Sequence, residues 1–121
     1  MRPSKPLVIY EYSKCDTCRK ALRFLDGKKL GYERKDITAE APALNELETM
    51  LAHYGGDIRK LFNTSGVAYK EMKLSEKLPK LPQAEALKLL AANGRLVKRP
   101  FLLGDGFGLV GFKEDEWKKR F

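Results

Sequence analysis

Two cysteines three residues apart, Cys15-Asp16-Thr17-Cys18, stand where a strand pattern hands over to a helix pattern, and this junction constrains the fold more than any other feature. Before it, Leu7-Val8-Ile9-Tyr10-Glu11-Tyr12 is a short apolar run with β-branched and aromatic residues, the pattern of a buried strand. Ser13-Lys14 breaks it. After it, Cys18, Ala21, Leu22 and Leu25 recur at spacings of three and four, which predicts a helix bracketed at its end by Gly27 and Gly31. Tyr32 to Ile37 then reads as a second strand whose polarity suits a sheet edge. Strand, helix and strand within about thirty residues form a βαβ unit with parallel strands.

The junction also carries chemistry. A thiol at a helix N-terminus faces unpaired N–H groups and the positive end of the helix dipole, and both favour thiolate over thiol. Cys18, on the same helical turn, is placed to close a disulfide with Cys15. The expected roles are Cys15 as attacking thiolate and Cys18 as resolving thiol. The competing reading takes both as ordinary small hydrophobes, because Cys18 also falls on the apolar face with Leu22 and Leu25. Two cysteines are too few for a secreted disulfide scaffold. The single histidine, His53, leaves too few ligands for a zinc site, so neither a metal nor a bound cofactor is expected.

Downstream the pattern turns helical. Pro42 is expected to open a helix with Leu44, Leu47, Met50 and Leu51 inward, and Asp57 to cap a shorter one carrying Ile58, Leu61 and Phe62. Asn63-Thr64-Ser65-Gly66 reads as a loop. Pro82 opens another helix, with Leu87, Leu90 and Ala91 inward, stopped by Asn93-Gly94. Strands return at Pro100 to Leu103 and at Leu109 to Phe112, joined at Gly104-Asp105-Gly106, before a short basic helix from Glu114 to Arg120 that holds Trp117. A βαβ half and a ββα half thus flank a helical middle. The expectation is an α/β, thioredoxin-like (glutaredoxin-like) fold: one domain over residues 1–121, a mixed sheet of about four strands, and an all-helical insertion at about 39–95. With 43% of its residues hydrophobic, a chain of this length can bury a core.

In that topology a proline opening a late strand is well placed for a cis bond beside the cysteine helix, with Arg99 before Pro100 pointing its guanidinium at Cys15. Such an arginine would favour the thiolate and bind an oxyanion or carboxylate. The alternative is an edge-strand proline with a solvated arginine. Arg19, in the first helical turn, is either a second charge near the thiols or a surface residue.

The net charge of +8 attracts polyanions or acidic surfaces, but Lys and Arg are scattered along the chain, which favours solvated helix faces over a dedicated nucleic-acid surface. No apolar run approaches the ~20 residues of a membrane span. The charged start, Met1 to Pro6, and the few apolar residues before Glu11 do not make a secretory leader, so the cytoplasm is the expected compartment and a monomer the expected state.

Four pieces in order, Tyr12-Ser13-Lys14-Cys15-Asp16-Thr17-Cys18-Arg19-Lys20-Ala21, Leu61-Phe62-Asn63-Thr64-Ser65-Gly66, Lys98-Arg99-Pro100-Phe101-Leu102-Leu103 and Val110-Gly111-Phe112, resemble the ArsC/Spx family. That family holds glutaredoxin-like arsenate reductases, Spx-type transcriptional regulators and YffB-like relatives. The resemblance implies a thioredoxin-like fold with a helical insert. Its arsenate reductases use one nucleophilic cysteine, matched by Cys15, and three arginines around the oxyanion. Arg99 matches the arginine before proline, whereas Asn63 and Phe112 stand at the other two positions. One arginine is a poor arsenate cradle, because each lost charge-assisted bond forfeits about 1.5–3 kcal/mol. Spx-type regulators keep a C-x-x-C switch and the Arg-Pro pair, and they bind the C-terminal domain of the α subunit of RNA polymerase. Gly55-Gly56 lies close to, though one residue out of step with, their polymerase-contacting glycine, and the Asn63 loop looks more like the YffB-like branch. Two readings follow: a thiol-dependent reductase drawing electrons from glutathione or thioredoxin, or a redox-switched binding protein.

Overall fold

The elements around the cysteines are β1 (Leu7–Glu11), α1 (Asp16–Gly27) and β2 (Tyr32–Asp36), in a computed structural model that describes residues 7–121. The reading of residues 1–6 against a leader lies outside the described residues. β2 runs parallel to β1, with Leu7 opposite Tyr32 and Glu11 opposite Asp36. After the helical middle, β3 (Phe101–Gly104) and β4 (Phe107–Val110) form an antiparallel hairpin, and β3 is antiparallel to β1. The sheet order is β2-β1-β3-β4, so the polar β2 is an edge, as its sequence suggests. This mixed four-stranded sheet with helices is a thioredoxin-like fold.

Between β2 and β3 come α2 (Leu44–His53), a 3-10 turn (Ile58–Leu61), α3 (Val67–Glu71), α4 (Leu74–Lys77), α5 (Gln83–Ala92) and a 3-10 turn (Gly94–Leu96). Pro42 does not open α2. The helix begins at Leu44, because the Glu46 carboxylate accepts the Ala43 N–H at 2.9 Å and the Tyr10 hydroxyl at 2.7 Å, starting the helix and tying it to β1 at once. Leu44 therefore faces outward, 42% exposed, while Leu47 and Met50 are fully buried. α3 and α4 went unread in the sequence because runs of five and four residues are too short to show a helical period. Ala91 is half-buried rather than in the core.

In the hairpin, Gly104 pairs with Phe107, which leaves two residues at the tip, and Gly106 takes φ +82 there. β4 lies two residues earlier than the sequence reading placed it. Gly111, at φ +70, turns the chain out of the sheet after Val110, so Phe112 leaves the strand and packs on Trp117, with ring centroids 5.0 Å apart.

Strand alternation divides the core between the two sheet faces. Leu7, Ile9, Leu102 and Leu109 meet Ala21 and Leu25 of α1 and Trp117 of α6 (Glu114–Arg120). Tyr10, Phe101 and Val110 meet the helical middle, including Leu47, Met50, Phe62, Leu90 and Val97. Acids in the first turn of α6 and bases in its last complement its dipole. Glu11 is the one buried charged side chain among the described residues, and Arg34 holds it at 2.9 Å.

Candidate functional site

Cys15 is the N-cap of α1. Its backbone is extended, and its sulfur accepts the Cys18 N–H at 3.4 Å, satisfying one of the orphan donors of the first turn. The preceding tight loop is closed by the Cys15 N–H donating to Tyr12 O at 3.0 Å. Cys15 is half-exposed and Cys18 fully buried, and both are free thiols.

The pair is electrostatically unequal. Partial burial opposes ionisation of Cys15, but hydrogen bonds from the Cys18 side chain and N–H, together with the hydrogen bond and charge of Arg99, outweigh it and hold its pKa below the ordinary thiol value. Cys18 is pushed up to about 12, chiefly by burial and then by its hydrogen bond to Cys15. One thiol is thus the easier to ionise, while its neighbour keeps its proton.

Arg99 reaches this place from the segment before β3. Lys98 N–H donates to Leu61 O at 2.8 Å, Val97 bridges Phe62, and Pro100 O accepts the Gly111 N–H at 2.9 Å, so the backbone is clamped on both sides. The Arg99–Pro100 peptide is cis. The Arg99 guanidinium lies 4.9 Å from the Tyr12 ring centroid, a cation–π contact that steadies it beside Cys15.

Beyond Arg99 opens a cavity of 310 Å³, lined among others by Tyr12, Asn63, Gly66, Glu71, Arg95 and Arg99. Asn63 is fixed there by its N–H to Leu96 O at 2.7 Å. In the Asn63-Thr64-Ser65-Gly66 loop a Cβ on Gly66 would sit 2.7 Å from Asn63 Nδ2, so the glycine leaves the Asn63 side chain in its place. The thiols do not line the cavity; Arg99 links the two. Arg19 is engaged by Ser13 O at 3.0 Å and the Asp16 carboxylate at 3.1 Å. Phe112 belongs to the aromatic cluster with Phe24 and Trp117. Arg95 and Glu71 were not read from the sequence. They sit on a 3-10 turn and at the end of a five-residue helix, where no periodicity points at a shared cavity.

A profile of the ArsC family matches residues 10–120. The chain belongs to the ArsC family. A solved ArsC-family-related protein of Bacteroides fragilis shares 42% identity over 96% of this chain and 98% of its own, with a TM-score of 0.89. The Bacillus subtilis protein YusI is 39% identical over 95% of this chain and 98% of its own. The global transcriptional regulator Spx of Enterococcus faecalis is 27% identical over 93% of this chain and 84% of its own.

In this ArsC-family protein, alkylation by iodoacetamide should follow two separate pH midpoints. Cys15 reacts as pH rises through a midpoint below the ~8.5 of a free thiol, whereas Cys18 stays a thiol until about 12. Between those values only Cys15 is thiolate. Arg99→Ala should raise the lower midpoint. Mass-spectrometric rates at each cysteine check this, and a Cys15 midpoint at or above that of a free thiol, unmoved by Arg99→Ala, would contradict it.

Proposed function

We propose that this protein is a thiol–disulfide oxidoreductase working through Cys15 and Cys18. The observation that carries the reading is the unequal pair: a half-exposed Cys15 at a helix N-cap with its pKa lowered beside Arg99, over a buried, protonated Cys18. The Cys15 thiolate attacks one sulfur of a substrate disulfide, forming a mixed disulfide and expelling the other half as thiolate. Cys18 then gives up its proton and attacks the Cys15 sulfur. That releases the second substrate thiolate and leaves a Cys15–Cys18 disulfide, the two electrons having passed to the substrate. An external thiol reductant, glutathione or a thioredoxin, returns the pair to dithiol. Pro100 sets the backbone beside the thiols, Arg99 favours the thiolate, and the cavity with Asn63, Arg95 and Glu71 accepts the part of the substrate that does not react. Arg19 fixes the loop before α1. The test is NADPH-coupled reduction of 2-hydroxyethyl disulfide with each donor in turn. Saturable turnover supports the reading, and none with either donor contradicts it.

Arsenate is expected not to be turned over. Of the three family positions, only Arg99 is an arginine; Asn63 is neutral, and Phe112 is committed to packing on Trp117. In a glutathione/glutaredoxin-coupled assay, arsenate-dependent oxidation should stay at background. Saturable turnover lost in Cys15→Ser would contradict this.

A second reading is favoured by the likeness to the Spx regulator of Enterococcus faecalis. Here the same disulfide switches affinity for the C-terminal domain of the α subunit of RNA polymerase. Gly55 and Gly56, at φ +67 and +83 after α2, are the exposed candidates for that contact. Redox-dependent binding of that domain without catalytic turnover would select the regulator over the reductase.

A further inference from the structure

On the other side of the Arg99 segment the neighbouring residue, Lys98, lines a separate cleft of 230 Å³ together with Tyr54, Arg59, Lys60, Lys113 and Glu116. We propose that this cleft is a binding site for a small, multiply charged phosphate, such as a diphosphate or a phosphomonoester. The proposal does not rest on the redox reading.

The fold assembles the charge. Arg59 and Lys60 come from the 3-10 turn after α2, Lys98 from the segment before β3 and Lys113 from the residue capping α6. No two of these segments adjoin in sequence. Four cations therefore converge on one volume through tertiary structure rather than through a basic run. Among the described residues none of the four makes an ion pair, whereas Arg19, Arg34, Lys35, Lys88 and Lys118 each do. The one acid in the cleft, Glu116, accepts the Tyr54 hydroxyl at 3.1 Å, and that hydroxyl in turn accepts the Val110 N–H at 2.9 Å. Burial foremost keeps Tyr54 protonated, with its pKa pushed up to about 12, so its ring adds no negative charge. Lys60 stands over that ring, 5.7 Å from the centroid.

Lys98 is the most built-in of the cations. It is half-buried, and its stem runs past Gly111, where an added Cβ would fall 2.9 Å from Lys98 Cε. Backbone without a side chain is what leaves room for it. Arg59, Lys60 and Lys113 are exposed around the half-buried Lys98, and like charges gathered without ion-pair partners raise the local potential and gain most from a compact anion of high charge. Lysine ammoniums and an arginine fork suit phosphoryl oxygens. At 230 Å³ the cleft lies under the roughly 300 Å³ at which drug-sized pockets begin, so it selects a small ligand over a dinucleotide. A polynucleotide would instead need a basic track that continues along the surface beyond the cleft.

The test is titration of inorganic diphosphate into the ¹⁵N-labelled full chain at constant ionic strength. Saturable shifts should centre on the amides of Tyr54, Lys98, Gly111 and Lys113. Lys98→Met, which keeps the packed stem, and Lys113→Ala should each weaken binding about tenfold, whereas Lys88→Ala on α5 should leave it unchanged. Lys98→Met and Lys113→Ala keep the fold readable through the unshifted amides of β1 and α1. Unsaturable shifts spread over the surface would overturn the proposal, as would equal affinity in Lys98→Met. Citrate matching diphosphate on the same amides would overturn its phosphate selectivity. A short oligodeoxynucleotide displacing diphosphate and binding more tightly would assign the cleft to a nucleic-acid backbone instead.

Discussion

Cys15→Ser is expected to lower disulfide-reducing turnover by about 10³-fold or more, because a hydroxyl at the N-cap keeps the hydrogen bond from Cys18 N–H but supplies no thiolate. The fold should be untouched, since serine is a preferred N-cap. Cys18→Ser is expected to behave differently. Its Cys15 still attacks, but no second thiol of the chain resolves the adduct, so without external thiol the protein accumulates as a mixed disulfide with one substrate half attached. Stopped-flow and intact-mass measurements on the two variants separate these outcomes. Equal residual turnover in both would show that the pair does not act in sequence. Full turnover in Cys18→Ser would assign the chemistry to Cys15 alone, with the external thiol as resolving group.

The largest effect on stability is expected at a glycine far from the thiols. Gly94 is buried at the start of the 3-10 turn that leads to Arg95 and Arg99, and a Cβ there would fall on the Ile37 carbonyl oxygen, with Ala41 Cα at 3.5 Å. Both obstacles are backbone, so no side-chain rotation relieves them. Gly94→Ala should cost about 3 kcal/mol and lower Tm by about 10 °C. Because the turn would have to lift off the chain after β2, it should also loosen Arg99 and slow alkylation of Cys15 at neutral pH. Gly31→Ala is the control. With nothing within 4 Å of the added methyl, its effect should stay within about 0.5 kcal/mol. Denaturant melts of the two variants decide the matter, and a near-neutral Gly94→Ala would mean that the turn packs less closely than described.

What was legible in the sequence follows the strength of the local pattern. β1, α1 and the edge position of β2 were readable because an apolar run, a three-and-four spacing and a polar strand each have one structural solution. Trp117 on the last helix was equally plain, and it packs against α1 as the ββα half requires. The start of α2 was misread because Pro42 is a generic opening signal, while the real one is a tertiary contact: the hydroxyl of Tyr10 meeting Glu46. The β4 register was misread because the turn-out at Gly111 depends on a positive φ that the sequence only permits. At the candidate site, the two cysteines were visible from motif and topology, whereas topology alone left Arg99–Pro100 open and the family resemblance singled the pair out. Arg95, Glu71 and the Lys98 cleft were not visible, because they come together only when irregular segments without periodicity are folded against one another. Among the described residues no helix is long and apolar enough to cross a membrane.

Cys15 and Cys18 are proposed to be a working redox couple. Three residues at a helix end bring them together, and the ring they close is so short that the bond removes little chain entropy. The disulfide should therefore act as a switch rather than a staple. Arg99 and the helix dipole stabilise the thiolate, and hence the reduced form, which moves the couple toward the oxidising end of the thioredoxin-like range. The measurement is equilibration of the protein in glutathione buffers of defined ratio, acid quenching, and mass spectrometry of the Cys15–Cys18 peptide. The expected result is a reversible intramolecular disulfide with a midpoint within about −270 to −120 mV, shifted to a more reducing value in Arg99→Ala. A pair that stays reduced at every ratio, or that yields only intermolecular dimers, would contradict it.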